Sequence, residues 1–214
     1  MINEPLAALL RDARIWRAQG AGARATGPAV VASGWPKLDA RLPDHGWPLG
    51  TLVELLLPTT GLGELTLLLP ALRALTTGPA ADAGRRWLAW IAPPHTPYPP
   101  ALAQGGIRPE QLLLVAAPKA EDRLWAFEQA LRSDGCAAVL GWLEAVDDRW
   151  LRRLKLAAET GRTLAVLFRP ERCRVQSSPA ALRLVLEARA GELDVTVLKG
   201  RGSAPARLRD VLGG

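Results

Sequence analysis

The chain has 214 residues and a formal net charge of +6, with 49% hydrophobic and 22% charged residues. That balance excludes a disordered chain, and the length suffices for one domain that buries roughly 70% of its unfolded surface without disulfide staples. No apolar run reaches the roughly 18 residues of a membrane span, and the opening MINEPLAALLRDAR has acid and Arg where a signal peptide needs an apolar core, so a cytoplasmic protein is expected.

The positive charge is almost all Arg, with Lys at positions 37, 119, 155 and 199. Such a charge attracts nucleic acid or an acidic partner non-specifically, but it does not define a site for either. Cys136 lies in a strand-like run and Cys173 in a loop, with no CxxC and no nearby His. Two buried thiols are expected, with neither a disulfide framework nor a metal site.

In chain order, residues 5–17 place Leu6, Leu9, Leu10, Ala13 and Trp16 at helical spacing among Arg11, Asp12 and Arg14. This predicts an amphipathic helix whose stripe is covered by its own core or by a neighbouring molecule. The stretch GAGARATGPAVVASG reads as a linker. The implied organisation is a helix and linker over 1–29, a core over 30–200 and a basic tail over 201–214.

Within the core, GWPLGTLVELLLPTTGLGELTLLLP is the organising stretch. Leu52 to Leu57 predicts a strand buried on both faces, followed by a glycine-containing turn and a Leu-rich helix from Leu62 to Leu75. Further buried strands are predicted at Trp87 to Ala92, Leu112 to Ala116, Ala137 to Trp142 and Thr163 to Phe168. Helices are predicted in EDRLWAFEQALRSDG and DDRWLRRLKLAAETG, with Gly135 and Gly161 at their ends. Strands separated by helices imply a mostly parallel α/β sheet. The segments LRLVLEAR and LDVTVLKG switch to a period of two and predict a C-terminal antiparallel hairpin.

Strand, glycine loop and helix in that order is the setting of a phosphate-binding loop, which needs a glycine at the strand exit, a Lys at the phosphates and a Ser or Thr on magnesium. With Gly61 and Gly63 as the loop glycines, these places hold Leu57 or Pro58, Glu64 and Leu65. A carboxylate facing a triphosphate repels it, so the element is read as having the architecture of nucleotide binding without its chemistry. Glu64 by itself is read as a charge at the start of its helix. His45 and His95 sit in Pro-flanked turns without a nucleophile or carboxylate arranged around them, and are read as structural or surface residues. Trp87, Trp90, Trp125, Trp142 and Trp150 are mostly expected to face inward. Arg149, Arg152 and Arg153 are expected opposite the apolar face of their helix. Arg169, Arg172 and Arg174 follow the fifth strand, at the edge where parallel sheets usually place function, and form a candidate basic edge.

The element order and the block SGWPKLDARLPDHGWPLGTLVELLLP, with Leu38, Asp39, Gly46, Pro48 and Gly50, resemble the RecA recombinase family. The resemblance runs from about Val30 to Pro205 and implies a RecA-like fold. In that alignment the catalytic Glu falls on Pro94, the Walker B Asp on Trp142 and the nucleotide-sensing pair on Arg169 and Pro170, which implies a pseudo-ATPase with no cofactor. The segments LAALLRDARIWRAQG, GWPLGTLVELLLPTTGLGELTLLLPAL, WIAPPHTPYPPALAQGGI and LWAFEQALRSDGCAAVLGW resemble the ImuA family of translesion-synthesis accessory proteins. That resemblance implies a part in SOS-induced, error-prone DNA synthesis, with an ImuB-type inactive Y-family polymerase, an error-prone replicative-type polymerase and, in some members, RecA as partners. The N-terminal helix would then mediate self-association or capture by a partner. Two rival readings are a SulA-like inhibitor binding the division protein FtsZ and an active recombinase, the latter opposed by Glu64, Leu65 and Trp142.

Overall fold

A computed structural model describes residues 29–77, 87–133, 135–189, 191–200 and 205–213. The predicted N-terminal helix, with Leu6, Leu9, Leu10 and Trp16, lies outside the described residues. The chain enters through β1 (Val30–Val31), α1 (Pro36–Asp39), β2 (Trp47–Pro48), β3 (Thr51–Leu57) and α2 (Glu64–Thr77). It continues with β4 (Trp87–Ile91), α3 (Pro99–Gln104), β5 (Leu112–Val115), α4 (Ala120–Arg132), β6 (Cys136–Trp142), α5 (Asp148–Gly161) and β7 (Leu164–Pro170). The hairpin β8 (Leu182–Arg189) and β9 (Glu192–Lys199) and the short β10 (Ala206–Leu208) complete it.

Among the described residues, eight strands form one sheet in the order β10-β9-β8-β3-β7-β6-β4-β5, and β1 pairs with β2 apart from it. Pairings among β3, β4, β5, β6, β7 and β8 are parallel, and the β8–β9 and β9–β10 pairings are antiparallel. This is the mostly parallel α/β architecture with the expected hairpin. β3 occupies the middle with both faces buried: Val53, Leu55 and Leu57 join the α2 side, while Leu52 joins the side closed by α4 and α5. On that second side Phe127 and Leu131 of α4 meet Leu151, Leu154 and Ala158 of α5, all nearly solvent-free.

Helix ends follow local chemistry. Asp147 caps α5 by accepting the Trp150 N–H at 2.7 Å. At the other end Gly161 is the last helical residue and Arg162 takes the left-handed turn at φ 51°. A Cβ at Gly161 would lie 1.8 Å from the Leu131 carbonyl oxygen, so glycine is required there by close approach of the two helix ends.

Several expectations are corrected. Leu112–Val115 is the sheet edge and is not buried on both faces, with Leu113 and Leu114 exposed by 40% and 48%. Trp90 and Trp142 are buried, but Trp87 and Trp125 are exposed, because one opens its strand beyond the core and the other lies on the solvent side of α4. The last residues are more than a tail: β10 pairs with β9, and Val211 is buried in the main core.

That final segment is fastened by polar contacts. Asp194 accepts the Asp210 N–H at 3.1 Å and Arg207 Nη2 at 2.9 Å, while Lys37 Nζ donates to the Asp210 carbonyl at 3.0 Å. The Asp210 backbone N–H holds the Asp194 carboxyl below its ordinary value, helped by Arg207 and Arg189 and opposed by burial. A depressed carboxyl contributes stability that is present above its unfolded value of about 3.9 and lost as pH falls through the lower folded value. Amide exchange, corrected for intrinsic rates, is therefore expected to lose protection over 193–199 and 206–211 in acid before β3 and β7 do. Asp194→Asn should reproduce that loss at neutral pH; full protection in the variant would mean that the β9–β10 ladder alone holds the segment.

Candidate functional site

Five parallel strands, β3, β4, β5, β6 and β7, end at the same rim of the sheet, and a cleft of about 830 Å³ opens there. This is where open α/β sheets place ligands. Its floor contains Leu57, Trp142 and Phe168 from the ends of β3, β6 and β7. Trp142 and Phe168 are cross-strand partners, so their rings stack, with centroids 4.5 Å apart and planes tilted by 20°. Trp90 meets the far side of Trp142 at 5.8 Å. Each such aromatic pair contributes about 0.5–1.5 kcal/mol beyond its buried area, which fixes the floor.

Prolines form much of the rim, among them Pro58, Pro94 and Pro170. Ala92, directly after β4, has φ 51°, a left-handed conformation costly for a residue with a Cβ, and its N–H is held by the Val115 carbonyl at 2.8 Å. Arg123 and Arg172 are the rim cations, and Glu144 stands 3.8 Å from Arg172 with both side chains mostly exposed. A surface pair of this kind contributes little to stability.

Beneath the cleft lies a charge network absent from the sequence expectations. Glu54 of β3 has no solvent exposure. Its Oε2 accepts Arg183 Nε at 2.7 Å, and its Oε1 accepts Arg169 Nη1 at 3.1 Å and the Ser178 hydroxyl at 2.9 Å. Arg183 stands directly opposite Glu54 on β8, and Arg169 follows two residues after its partner on β7. Arg169 Nη2 also reaches the Val146 carbonyl and the Gln176 amide oxygen, and Arg183 Nη1 and Nη2 reach the Gln176 and Cys173 carbonyls. Arg169 is thus a buried structural cation, only 3% exposed, which corrects the expectation of a free basic edge. Arg172 and Arg174 are exposed, and of these Arg172 lines the cleft. A Glu within an otherwise apolar strand was the available signal, since a carboxylate buried on both sides requires a cationic partner.

The glycine loop next to the cleft is occupied by the chain itself. Gly61 at φ 84° and Gly63 at φ 103° turn the backbone so that Glu64, at the first position of α2, folds back over it. Its two carboxylate oxygens accept the Gly61 and Leu62 N–H groups at 2.8 Å each. Loop N–H groups that in a phosphate loop would face an anionic ligand are here held by an anion in cis. Leu65 packs against the main core, and the Leu212 side chain comes to Gly63, where an added Cβ would meet it at 3.4 Å.

Of the residues expected around a nucleotide, the structure brings Leu57, Pro94 and Trp142 into the cleft, while Glu64 and Leu65 turn away into helix-start and core contacts. His95 lines the cleft as an exposed residue, and His45 is a surface residue within 3.2 Å of the Asp39 carbonyl. Cys136 and Cys173 are buried free thiols, and burial pushes the Cys136 thiol up despite an opposing hydrogen bond from Ser133. No His, Cys, Asp and Glu cluster suited to a metal occurs among the described residues.

The Glu54 network predicts a measurable asymmetry. Glu54→Gln leaves two buried guanidiniums without their carboxylate and should cost about 3–5 kcal/mol in urea denaturation. Glu54→Leu combined with Arg169→Met and Arg183→Met should cost less than that single change. A denaturation midpoint unaltered by Glu54→Gln would mean that the network is solvated in solution.

A family model described as cell division inhibitor SulA matches residues 58–165. The SulA of Edwardsiella piscicida is 34% identical over 86 residues, 40% of this chain and 51% of that protein. Protein ImuA of Caulobacter vibrioides is 32% identical over 143 residues, 65% of this chain and 56% of that protein. Among solved structures, the crystal structure of SulA from Pseudomonas aeruginosa is 30% identical, with a TM-score of 0.44, over 55% of this chain and 97% of that one. The chain spans about half the length of the curated relatives it matches.

Proposed function

This chain belongs to the SulA family, and on that footing we propose that it is a non-catalytic, RecA-like accessory subunit of an SOS-induced translesion-synthesis assembly. It works by binding an ImuB-type inactive Y-family polymerase, with RecA as a further partner. The observation that carries the non-catalytic part is Glu64: its carboxylate already holds the loop N–H groups that a triphosphate would need, and the two positions after Gly63, where a phosphate loop has Lys and then Ser or Thr, hold Glu64 and Leu65. The choice of assembly is supported by the likeness to ImuA, which extends over more of the chain than the likeness to any SulA relative given above. The family match itself favours a second reading, a SulA-like division inhibitor acting on FtsZ.

On this reading the purified chain neither binds nor hydrolyses ATP with magnesium. Calorimetric titration checks this, and saturable binding at micromolar ATP would overturn it. Glu64→Lys alone should not create hydrolysis, because the positions aligned with the catalytic carboxylates hold Pro94 and Trp142.

Deleting the gene should lower damage-induced mutation without changing ordinary growth, and the tagged chain should co-purify an ImuB-type protein from damaged cells. Reduced filamentation after damage, with mutation frequency unchanged, would favour the division-inhibitor reading instead.

A further inference from the structure

The cleft at the strand ends has a definite chemistry that neither the family match nor a nucleotide explains. Its floor is aromatic and apolar, and its charged lining consists of Arg123, Arg169 and Arg172 against Glu144 alone. Beneath it one carboxylate, Glu54, serves two guanidiniums, Arg169 and Arg183, so the buried network carries a net positive charge. Two buried donors in the lining, Trp142 Nε1 and Arg169 Nε, have no acceptor among the described residues. The phosphate-type nest beside the cleft is filled by Glu64, which removes the place a nucleotide's phosphates would take.

From these features we infer that the cleft binds an acidic peptide segment of a partner protein. An apolar side chain of the peptide lies over the Trp142 and Phe168 floor, and its carboxylates face Arg172 and Arg123. Charge complementarity selects this occupant, and the volume of about 830 Å³ accommodates a few residues. Leu114, half exposed on the edge strand and also part of the lining, extends the apolar surface towards an incoming chain. The inference rests on the reading of this protein as a binding subunit and names the chemistry of its partner.

The test uses the full chain labelled with ¹⁵N and the blocked peptide Glu-Asp-Leu-Phe-Glu-Asp, with Gln-Asn-Leu-Phe-Gln-Asn as its neutral counterpart. The indole N–H resonance of Trp142, identified by its disappearance in Trp142→Phe, should move saturably with the acidic peptide and far less with the neutral one. Arg172→Glu and Leu114→Asp lie at exposed positions where the fold is not at stake, and each should weaken binding about tenfold. An unmoved Trp142 resonance at about 1 mM peptide, a concentration at which even weak complexes form, would overturn the inference. So would equal movement by ATP or oligothymidine in competition with the peptide, or movement with protein concentration alone, which would place a second copy in the cleft. The titration needs no cellular partner: peptide binding with failed co-purification removes the accessory reading alone. Co-purification that Arg172→Glu leaves intact removes the cleft as its docking site alone.

Discussion

A single carboxylate, Glu54, sets the conditions under which the middle of this sheet can exist. It sits on the central strand without solvent, and the surrounding chain supplies Arg169 from one neighbouring strand, Arg183 from the other and Ser178 from the loop between them. Isolated burial of such a charge would be prohibitive, so these elements are obliged to assemble together around it. Dispersed apolar packing could tolerate a slip of β3 against β7 or β8; a hydrogen-bonded charge pair across both interfaces does not. The network therefore fixes register as much as it contributes energy, and it holds the 3-10 turn at Glu171–Val175 over the strand ends through the Cys173 carbonyl.

The same economy appears at the glycine loop. A turn built from Gly61 and Gly63 points N–H groups at one place, and those groups must meet an acceptor or water. Glu64 provides the acceptor from within the chain, which makes the loop a structural joint between β3 and α2. The turn is thus satisfied within the chain, and the strand ends beside it stay open as a cleft.

Much of the fold was legible from periodicity. The Leu-rich run at β3, the amphipathic stripes of α4 and α5, and the alternation in β8 and β9 each translate directly into burial. Topological position was less legible, since Leu112–Val115 reads as apolar as any inner strand yet forms the edge, and sequence pattern does not say which strand comes last in a sheet. For the site, Trp142 and Pro94 are singled out only through the family resemblance, which sets them at the ends of two apolar strands. Arg169 does stand at the rim, as its place after the fifth strand implies, but its guanidinium turns inward to a Glu more than a hundred residues earlier. Glu54 is hard to see in the sequence because a lone acid within a hydrophobic run is diluted by its neighbours in any pattern count. Tertiary pairing of charges is the one part of such a network that local sequence does not encode.

The position of β3 also dictates the order of events during synthesis. Its hydrogen-bonded neighbours are β7 and β8, and the Arg169–Glu54 contact joins residues 115 apart in sequence. On a growing chain the strand TLVELLL therefore emerges long before anything that can pair with it, and closing so long a loop is slow relative to local helix formation. Until β7 has left the ribosome this strand is an apolar, unpaired segment of the kind that chaperones bind and that aggregates form from. Here Glu54 acts in a second capacity. In the unfolded chain it is a hydrated charge in the middle of that segment, interrupting it in the manner of a gatekeeper residue, and it becomes a buried ion only when the two arginines arrive.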